Sequence, residues 1–211
     1  MRRLPVYFLL DTSGSMYGEP IQSLNNALSG MINALRSDAQ AADTLYVNII
    51  TFDKEIKEIV PLTDLPSLQV PEIVCPQSGP TFTGKALEVL CQKVKTEIRK
   101  GTSTQKGDWR PLLFIFTDGK PSDIQLYNDI IPQVKSLNFG IIVGCAAGNK
   151  ADSSKLQTLC DEVVNLETTD SATLMKFFKW VSDVIEQGNK SMGTTDTVVL
   201  PPPPIIEDNV T

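Results

Sequence analysis

One short segment of the chain combines a carboxylate with two hydroxyls in five residues. Asp11, Ser13 and Ser15 directly follow an apolar run, Val6 to Leu10, and Gly14 between the two serines allows a tight turn. Carboxylate and hydroxyl oxygens are hard donors, which suit Mg²⁺ or Mn²⁺, ions that keep several waters and take few protein ligands. The segment therefore predicts part of a divalent-metal site.

Two other segments offer oxygen donors of the same kind. Asp118 follows a second apolar run, residues 112–117, and Thr81 lies in a loop just before a predicted helix. Because ligands of an open parallel sheet bind outside the carboxyl ends of its strands, Asp11 and Asp118 face one crevice if their two strands are neighbours. Thr83 is the alternative to Thr81 as the hydroxyl donor, although Thr83 has an expected structural role as the N-cap of that helix.

The elements that position these donors alternate between strand and helix. Continuous apolar runs predict buried strands, and apolar residues recurring every three to four positions predict helices. Strands are predicted at residues 6–10, 45–52, 56–60, 112–117, 140–145 and 163–166, and helices at 20–36, 84–100, 124–137, 153–160 and 171–187. Gly101 is expected to end the second helix and Ser171 to cap the last one.

The connection between the second and third strands is only three residues long, at 53–55, which forces an antiparallel hairpin. The other connections contain helices, as parallel strands require. The predicted fold class is therefore α/β, a doubly wound (Rossmann-like), mostly parallel six-stranded sheet with one antiparallel edge strand and helices on both faces.

Three segments resemble the von Willebrand factor A family and its metal-ion-dependent adhesion site. They are Asp-x-Ser-x-Ser at 11–15, the threonine before the middle helix, and Thr-Asp-Gly at 117–119, and they occur in the family's order. The likeness extends over roughly residues 4–188. The resemblance implies a metal-dependent adaptor, in which a carboxylate from a protein partner fills an open coordination position on Mg²⁺ or Mn²⁺.

The same resemblance implies a role for each candidate ligand. Ser13, Ser15 and Thr81 would bind the metal directly, with Thr81 favoured over Thr83 by its place in the family pattern. Asp11 and Asp118 would act directly or through water.

Within the family, the opening segment and the extended acidic end are similar to bacterial tellurium-resistance proteins. The opening segment reads Leu-Pro-Val-Tyr-Phe-Leu-Leu-Asp-Thr-Ser-Gly-Ser-Met at residues 4–16. That likeness implies a role in tellurium resistance and stress response, with a kinase and a phosphatase among the associated proteins.

Composition argues against several other classes of function. The 211 residues include no histidine, which removes Ser–His–Asp and Cys–His catalysis and His-ligated zinc. A net charge of −6 and a pI of about 4.7 argue against nucleic acid as the main ligand. No stretch approaches the ~20 apolar residues of a membrane span, and the first apolar run is short for a secretory signal, so we expect a cytoplasmic protein. The four cysteines form no Cys-x-x-Cys pair and are expected to be reduced thiols.

The end of the chain differs in composition from the rest. We expect residues 1–190 to form the metal-binding domain and residues 191–211 to form a proline-rich acidic tail, since the latter contain no basic residue. Pro201 to Pro204 favour a polyproline II conformation. The tail is either flexible or a docking segment for a partner.

Two hypotheses that make the protein an enzyme compete with the prediction of a binding module. Residues 79–86, Gly-Pro-Thr-Phe-Thr-Gly-Lys-Ala, match a phosphate-binding loop up to the last position, but Ala86 lacks the hydroxyl that would hold Mg²⁺ and Pro80 removes one backbone N–H. Asp11 would be the phosphoryl acceptor in the second hypothesis, but Ser13 stands where such phosphatases carry a second aspartate. We therefore expect a binding module and not an NTPase or a phosphoryl-transfer enzyme.

Overall fold

The computed structural model describes residues 2–148, 153–191 and 200–203. The strands are β1 (Leu4–Asp11), β2 (Leu45–Phe52), β3 (Ile56–Asp64), β4 (Leu112–Thr117), β5 (Ile141–Ala147) and β6 (Glu162–Leu166). The helices are α1 (Glu19–Arg36), α2 (Ala39–Thr44), α3 (Thr83–Glu97), α4 (Ile124–Ser136), α5 (Ser153–Gln157) and α6 (Ser171–Ser191). A 3₁₀ turn at Gly14–Met16 connects β1 to α1.

The six strands form one sheet in the order β3-β2-β1-β4-β5-β6. β3 runs antiparallel to β2 at one edge, and all other neighbours are parallel. The predicted fold class is confirmed, and β4 lies directly beside β1. The condition set for the site is therefore met, because Asp11 and Asp118 lie at the carboxyl ends of two neighbouring parallel strands.

Both faces of the sheet are covered by helices. All eight residues of β1 are buried, as the uninterrupted apolar run predicts for a central strand. Even-numbered residues such as Phe8 pack into a cluster with α1 and α6, whereas odd-numbered residues such as Leu9 pack against α3 and α4. This alternation follows from the two-residue period of a strand.

Several helix boundaries differ from prediction, and α5 ends at Gln157, three residues before its predicted end. α2 was not predicted, and it is stabilised by the Asp38 carboxylate, which accepts a hydrogen bond from the N–H of Ala41 (2.7 Å). α3 ends at Glu97, before Gly101, because Ile98 adopts an extended backbone. Ser171 is the first residue of α6 and not its cap, since the carboxylate of Asp170 accepts the N–H of Thr173 (3.0 Å).

The edge strand β3 continues four residues beyond its predicted end, to Asp64. It includes Pro61, which is exposed. An edge strand tolerates proline because one side of its backbone has no ladder partner.

The remaining expectations concern the thiols and the chain end. All four cysteines are free, with Cys91 and Cys145 buried. Among the described residues, no helix has the length and hydropathy needed to cross a bilayer. Most of the predicted tail lies outside the described residues, but Leu200 packs against the cluster of α1 and α6, and the indole of Trp180 donates to the carbonyl of Pro201 (3.1 Å).

Candidate metal-binding site

Asp11 is the last residue of β1 and the most deeply buried of the five predicted ligands. Its side chain is fully buried, and its carboxylate accepts two short hydrogen bonds, from the N–H of Ser13 (2.7 Å) and from the hydroxyl of Thr117 (2.6 Å). Thr117 ends β4, so this second bond ties the ends of the two central strands together. The carboxylate is thereby fixed in orientation.

Burial also changes the acidity of Asp11. Desolvation raises its pKa to about 6, and the nearby charge of Asp118 acts in the same direction, against the hydrogen bonds from Ser13 and Thr117, which lower it. All of the hydrogen-bond donors are neutral. A carboxylate in these surroundings is poorly compensated electrostatically, and a bound cation would stabilise its ionised form.

Three further predicted ligands form a chain of short contacts that starts beside Asp11. The hydroxyl oxygens of Ser13 and Ser15 are 3.2 Å apart, and the Ser15 hydroxyl donates to the Asp118 carboxylate at 2.7 Å. Asp118 directly follows β4 and is 8% exposed, whereas Ser15 is exposed. The four residues at the ends of β1 and β4 therefore gather into one cluster that is accessible from solvent.

Thr81 reaches the same edge of the sheet from the loop before α3. Its hydroxyl lies beside Gly119, where a Cβ atom would come within 3.3 Å of it. Its backbone is held by Ser122, whose hydroxyl accepts the N–H of Thr81 (3.0 Å) and whose N–H donates to the Thr81 carbonyl (2.8 Å). The structure thus places Thr81 next to the segment that carries Asp118.

Thr83 does not have the capping role expected of it. It is the first residue of α3, and its buried hydroxyl has no hydrogen-bond partner among the described residues. In the first turn of the helix, the N–H groups of Gly84 (3.0 Å) and Lys85 (2.8 Å) donate instead to the carboxylate of Asp123. A side chain from a different loop caps the helix.

Gly14 is required for a different reason from the one predicted. A Cβ atom at this position would lie 2.4 Å from the Cα of Ser78 and 2.9 Å from the backbone N of Gly79. No side chain fits between these backbones. Glycine therefore brings the loop before α3 close to the segment that carries the two serines.

Two side chains that support the cluster were not among the predicted site residues. Thr117 bridges Asp11 and the carbonyl and N–H of Gly119, and buried Asp53 accepts the hydroxyl of Thr12 (3.1 Å). The carbonyl of Asp53 also accepts the N–H of Phe82 at 3.2 Å, next to Thr81. Only their positions in the sequence could have indicated these two residues, because Thr117 is the last residue of a strand and Asp53 directly follows one.

The donor set can hold a hard divalent cation. It consists of two carboxylates and three hydroxyls, all oxygen, which fits Mg²⁺ or Mn²⁺. The described residues contain no cluster of three or more His, Cys, Asp or Glu side chains arranged for a metal. With only two carboxylates available, an ion here would depend on hydroxyl and water oxygens for the rest of its coordination shell.

Comparison with known proteins gives one family and several similar folds. The model of the von Willebrand factor type A domain matches residues 6–180. No curated protein matches the chain. Proximal thread matrix protein 1 from the mussel byssus has a TM-score of 0.63 at 15% identity, covering 86% of this chain and 48% of that one. One of its structures is described as having a zinc-occupied MIDAS motif, the metal-ion-dependent adhesion site.

Two other solved structures are also similar in fold. A von Willebrand factor type A protein from Catenulispora acidiphila has a TM-score of 0.63 at 18% identity, covering 91% of this chain and 43% of that one. The ArnB paralog VWA2 from Sulfolobus acidocaldarius has a TM-score of 0.58 at 17% identity, with 84% and 45% covered. The chain therefore spans a little under half the length of these proteins, and at such identities the likeness is one of fold.

Proposed function

The chain belongs to the von Willebrand factor type A domain family, and we propose that it is a metal-dependent protein-interaction module. It would hold Mg²⁺ or Mn²⁺ at the oxygen cluster beyond β1 and β4. A carboxylate of a protein partner would complete the coordination of that ion.

One observation carries the proposal, namely the continuous line of contacts from Asp11 through Ser13 and Ser15 to Asp118. These residues lie at or just after the ends of two neighbouring strands, and each is within hydrogen-bond distance of the next. Hydroxyls within hydrogen-bond distance of each other and of a carboxylate are suitably spaced to turn toward a shared cation. Thr81, beside Gly119, is the fifth donor of the proposed set.

The chemistry of the set supports the type of ion. Ser13, Ser15 and Thr81 are proposed as direct ligands, and Asp11 and Asp118 as ligands that act directly or through water. The zinc-occupied motif of the mussel-byssus protein supports a divalent ion at the corresponding place in this fold. Oxygen donors without imidazole or thiolate favour Mg²⁺ or Mn²⁺ here.

The charge of the set supports the type of partner. Two carboxylates balance the charge of a divalent ion, and the neutral hydroxyls leave it with residual Lewis acidity toward an incoming anion. Ser15 is exposed, so a partner has access from that side. An acidic side chain is the group that such an ion would draw from a protein surface.

Contacts at the start of α3 favour a binding module over a nucleotide-hydrolysing enzyme. In a phosphate-binding loop, the N–H groups around Gly84 and Lys85 would cradle phosphate. Here both donate to the carboxylate of Asp123. A phosphate at this position would have to displace an anionic side chain that already neutralises the helix terminus.

The biological setting that we propose follows the likeness of the opening segment to bacterial tellurium-resistance proteins. The protein would act in the cytoplasm, in a stress response, and its partners would include an associated kinase and a phosphatase. Each would present an acidic residue to the metal. Neither nucleic acid nor a membrane has a place in this proposal.

Titration calorimetry with Mn²⁺ and with Mg²⁺ tests the metal site. We expect one site of modest affinity, because only part of the coordination shell comes from the protein. Ser13→Ala and Thr81→Val should weaken binding, whereas Thr83→Val, the same change two residues away, should not. Equal affinity in wild type, Ser13→Ala and Thr81→Val would overturn the assignment of the site.

Partner binding is tested by capturing proteins with the purified chain in Mg²⁺ and in excess chelator, followed by identification of the bound proteins. A partner of the proposed kind is lost in chelator, and replacing its contacting Asp or Glu by Asn or Gln abolishes binding. A complex that persists in chelator and in Ser13→Ala would mean that the interface lies elsewhere.

A further inference from the structure

Basic residues gather at the edge of the sheet where the parallel strands begin, opposite the metal-binding candidate. They come from residues 2–3, just before β1, and from residues 99–110, between α3 and β4. The two segments contain six of the nineteen basic residues of the chain and one acidic residue, Asp108. They carry a charge of +5, which leaves −11 on the rest of the chain.

The loop at residues 99–110 is closed by two hydrogen bonds between Arg99 and Asp108. The N–H of Asp108 donates to the carbonyl of Arg99 (2.8 Å), and the N–H of Arg99 donates to the carboxylate of Asp108 (2.8 Å). Gly107 packs so closely against the opposite side of the loop that a Cβ atom at this position would lie 2.5 Å from the backbone N of Gly101. The loop therefore has a defined shape that fixes where its basic side chains begin.

Arg2 is held in place against this loop. Its guanidinium lies 3.5 Å from the ring centroid of Trp109, and it donates to the carbonyls of Gly107 (2.7 Å) and Asp108 (3.1 Å). Both Arg2 and Trp109 are half-buried. A cation that is already immobilised loses little conformational entropy when an anion binds to it.

A cleft of about 410 Å³ opens between these groups. Arg2, Arg99, Lys100 and Arg110 contribute positive charge to its lining, and Ile98 and Leu137 contribute apolar surface. The side chains of Arg99, Lys100 and Arg110 are exposed. The cleft thus offers cations around a partly apolar floor, on a protein that is otherwise strongly acidic.

We propose that this cleft binds an acidic peptide segment of a partner protein, with carboxylates on the basic rim and an aliphatic side chain on the floor. Peptide is favoured over nucleic acid because the rest of the chain carries a net charge of −11, which would repel a long polyanion more than a short acidic segment. Apolar lining contributes nothing to phosphate binding but suits a leucine beside a glutamate. This site lies at the opposite edge of the sheet from the metal and does not depend on it.

The test uses fluorescence anisotropy of a labelled peptide made of Glu, Asp and Leu, with the full-length chain. The control peptide replaces every Glu and Asp by Gln and Asn. We expect binding of the acidic peptide only, with an affinity that falls as salt is raised and is unchanged by chelator or by Asp11→Ala. Insensitivity to chelator and to Asp11→Ala separates this result from the fate of the metal-site proposal.

Charge-reversal variants locate the site. The double variant Arg99→Glu with Lys100→Glu should weaken binding by about tenfold or more. Lys176→Glu with Lys179→Glu, on α6, changes the net charge by the same amount and should leave the affinity within about twofold once the salt is matched. Equal losses in the two variants would overturn the proposal, because attraction would then depend on net charge alone.

Two further measurements keep the proposal open to failure. Tryptophan fluorescence should change on peptide binding in the wild type and not in Trp109→Phe, since Trp109 lies against Arg2 at the cleft. A single-stranded oligonucleotide of matched charge serves as the competing probe. Tighter binding of the oligonucleotide than of the peptide, or a fluorescence change retained in Trp109→Phe, would overturn the proposal.

Discussion

Two buried carboxylates, one at each edge of the sheet, are stabilised in opposite ways. At the edge where the strands begin, the Asp108 side chain is 3% exposed and accepts two hydrogen bonds from the guanidinium of Arg3 (2.9 and 2.5 Å). At the edge where they end, Asp11 accepts hydrogen bonds only from neutral donors among the described residues and lies near a second carboxylate, that of Asp118.

The difference separates a carboxylate that stabilises the fold from one that we propose to be a metal ligand. The Asp108 charge is compensated within the protein, and it closes the basic loop. The Asp11 carboxylate is oriented by hydrogen bonds, but none of its hydrogen-bond partners in the described part of the chain is a cation, and burial raises its pKa to about 6. Burial of such a charge costs stability, and a cation bound at the proposed site would offset that cost.

The largest expected effect is a loss of metal affinity, which should follow substitution of Asp11 but not of Asp108. Asp11→Ala should abolish Mn²⁺ binding by calorimetry, because it removes both a ligand and the group that orients Ser13. Asp108→Asn should bind Mn²⁺ with the affinity of the wild type. Undiminished binding in Asp11→Ala would break the comparison.

The second effect is a loss of stability, which should follow substitution of Asp108. Asp108→Asn leaves the nearly buried guanidinium of Arg3 without its counter-ion, so it should lower the free energy of unfolding by about 3 kcal/mol. Urea denaturation followed by circular dichroism measures this. An Asp108→Asn protein as stable as the wild type would show that this ion pair is not the structural one.

The third effect concerns how stability depends on pH. For Asp11 this dependence should have the opposite sign from that of a stabilising carboxylate. Because the pKa of Asp11 is about 6 in the folded protein and near 3.8 unfolded, the folded state binds the proton more tightly, and metal-free stability should rise as the pH falls from 6 toward 4. Asp11→Asn should therefore be more stable than the wild type by about 3 kcal/mol at pH 7 without metal. The gap should close near pH 4.

Metal provides the control for this pH experiment. Saturating Mn²⁺ at pH 7 should stabilise the wild type through binding to the folded state and leave Asp11→Asn unchanged. If Asp11→Asn is less stable than the wild type across the whole pH range without metal, Asp11 contributes to stability as Asp108 does.

The smallest expected effect concerns the two neighbouring threonines. The Thr83 hydroxyl has no partner among the described residues, so Thr83→Val should change the free energy of unfolding by less than about 0.5 kcal/mol. Thr81→Val should likewise change stability little but should weaken Mn²⁺ binding. Thermal melts with and without metal distinguish the two variants. If Thr83→Val and not Thr81→Val reduced the stabilisation by metal, Thr83 would be the ligand in place of Thr81.

Local pattern was sufficient to predict the strands and the ends that carry the candidate site. The apolar runs before Asp11 and Asp118 are typical of central strands, and both form fully buried strands, so that the two aspartates lie at the carboxyl ends of these strands. The predicted strand at 112–117 matches β4 in both bounds. Periodicity depends on each residue and its near neighbours, which is why it can be read from one sequence.

Capping could not be predicted with the same success. Thr83 and Ser171 have the side chains typical of N-caps, yet Asp123 and Asp170 accept the N–H groups at the two helix starts. A stronger acceptor takes these bonds when the fold brings one within reach. For α3 that acceptor lies 39 residues away from Gly84, so no local pattern reveals it.

The sequence by itself determined the order of the elements, the buried strands and the five oxygen donors placed after strands and before a helix. Only the tertiary structure decided which loops meet. It brought Thr81 to Gly119, supplied Thr117 and Asp53 as supports, and set Arg2 against Trp109, more than a hundred residues later in the chain. The physical reason is that strand and helix patterns reflect burial along a single element, whereas hydrogen bonds and charge clusters depend on the distance between side chains that the sequence keeps far apart.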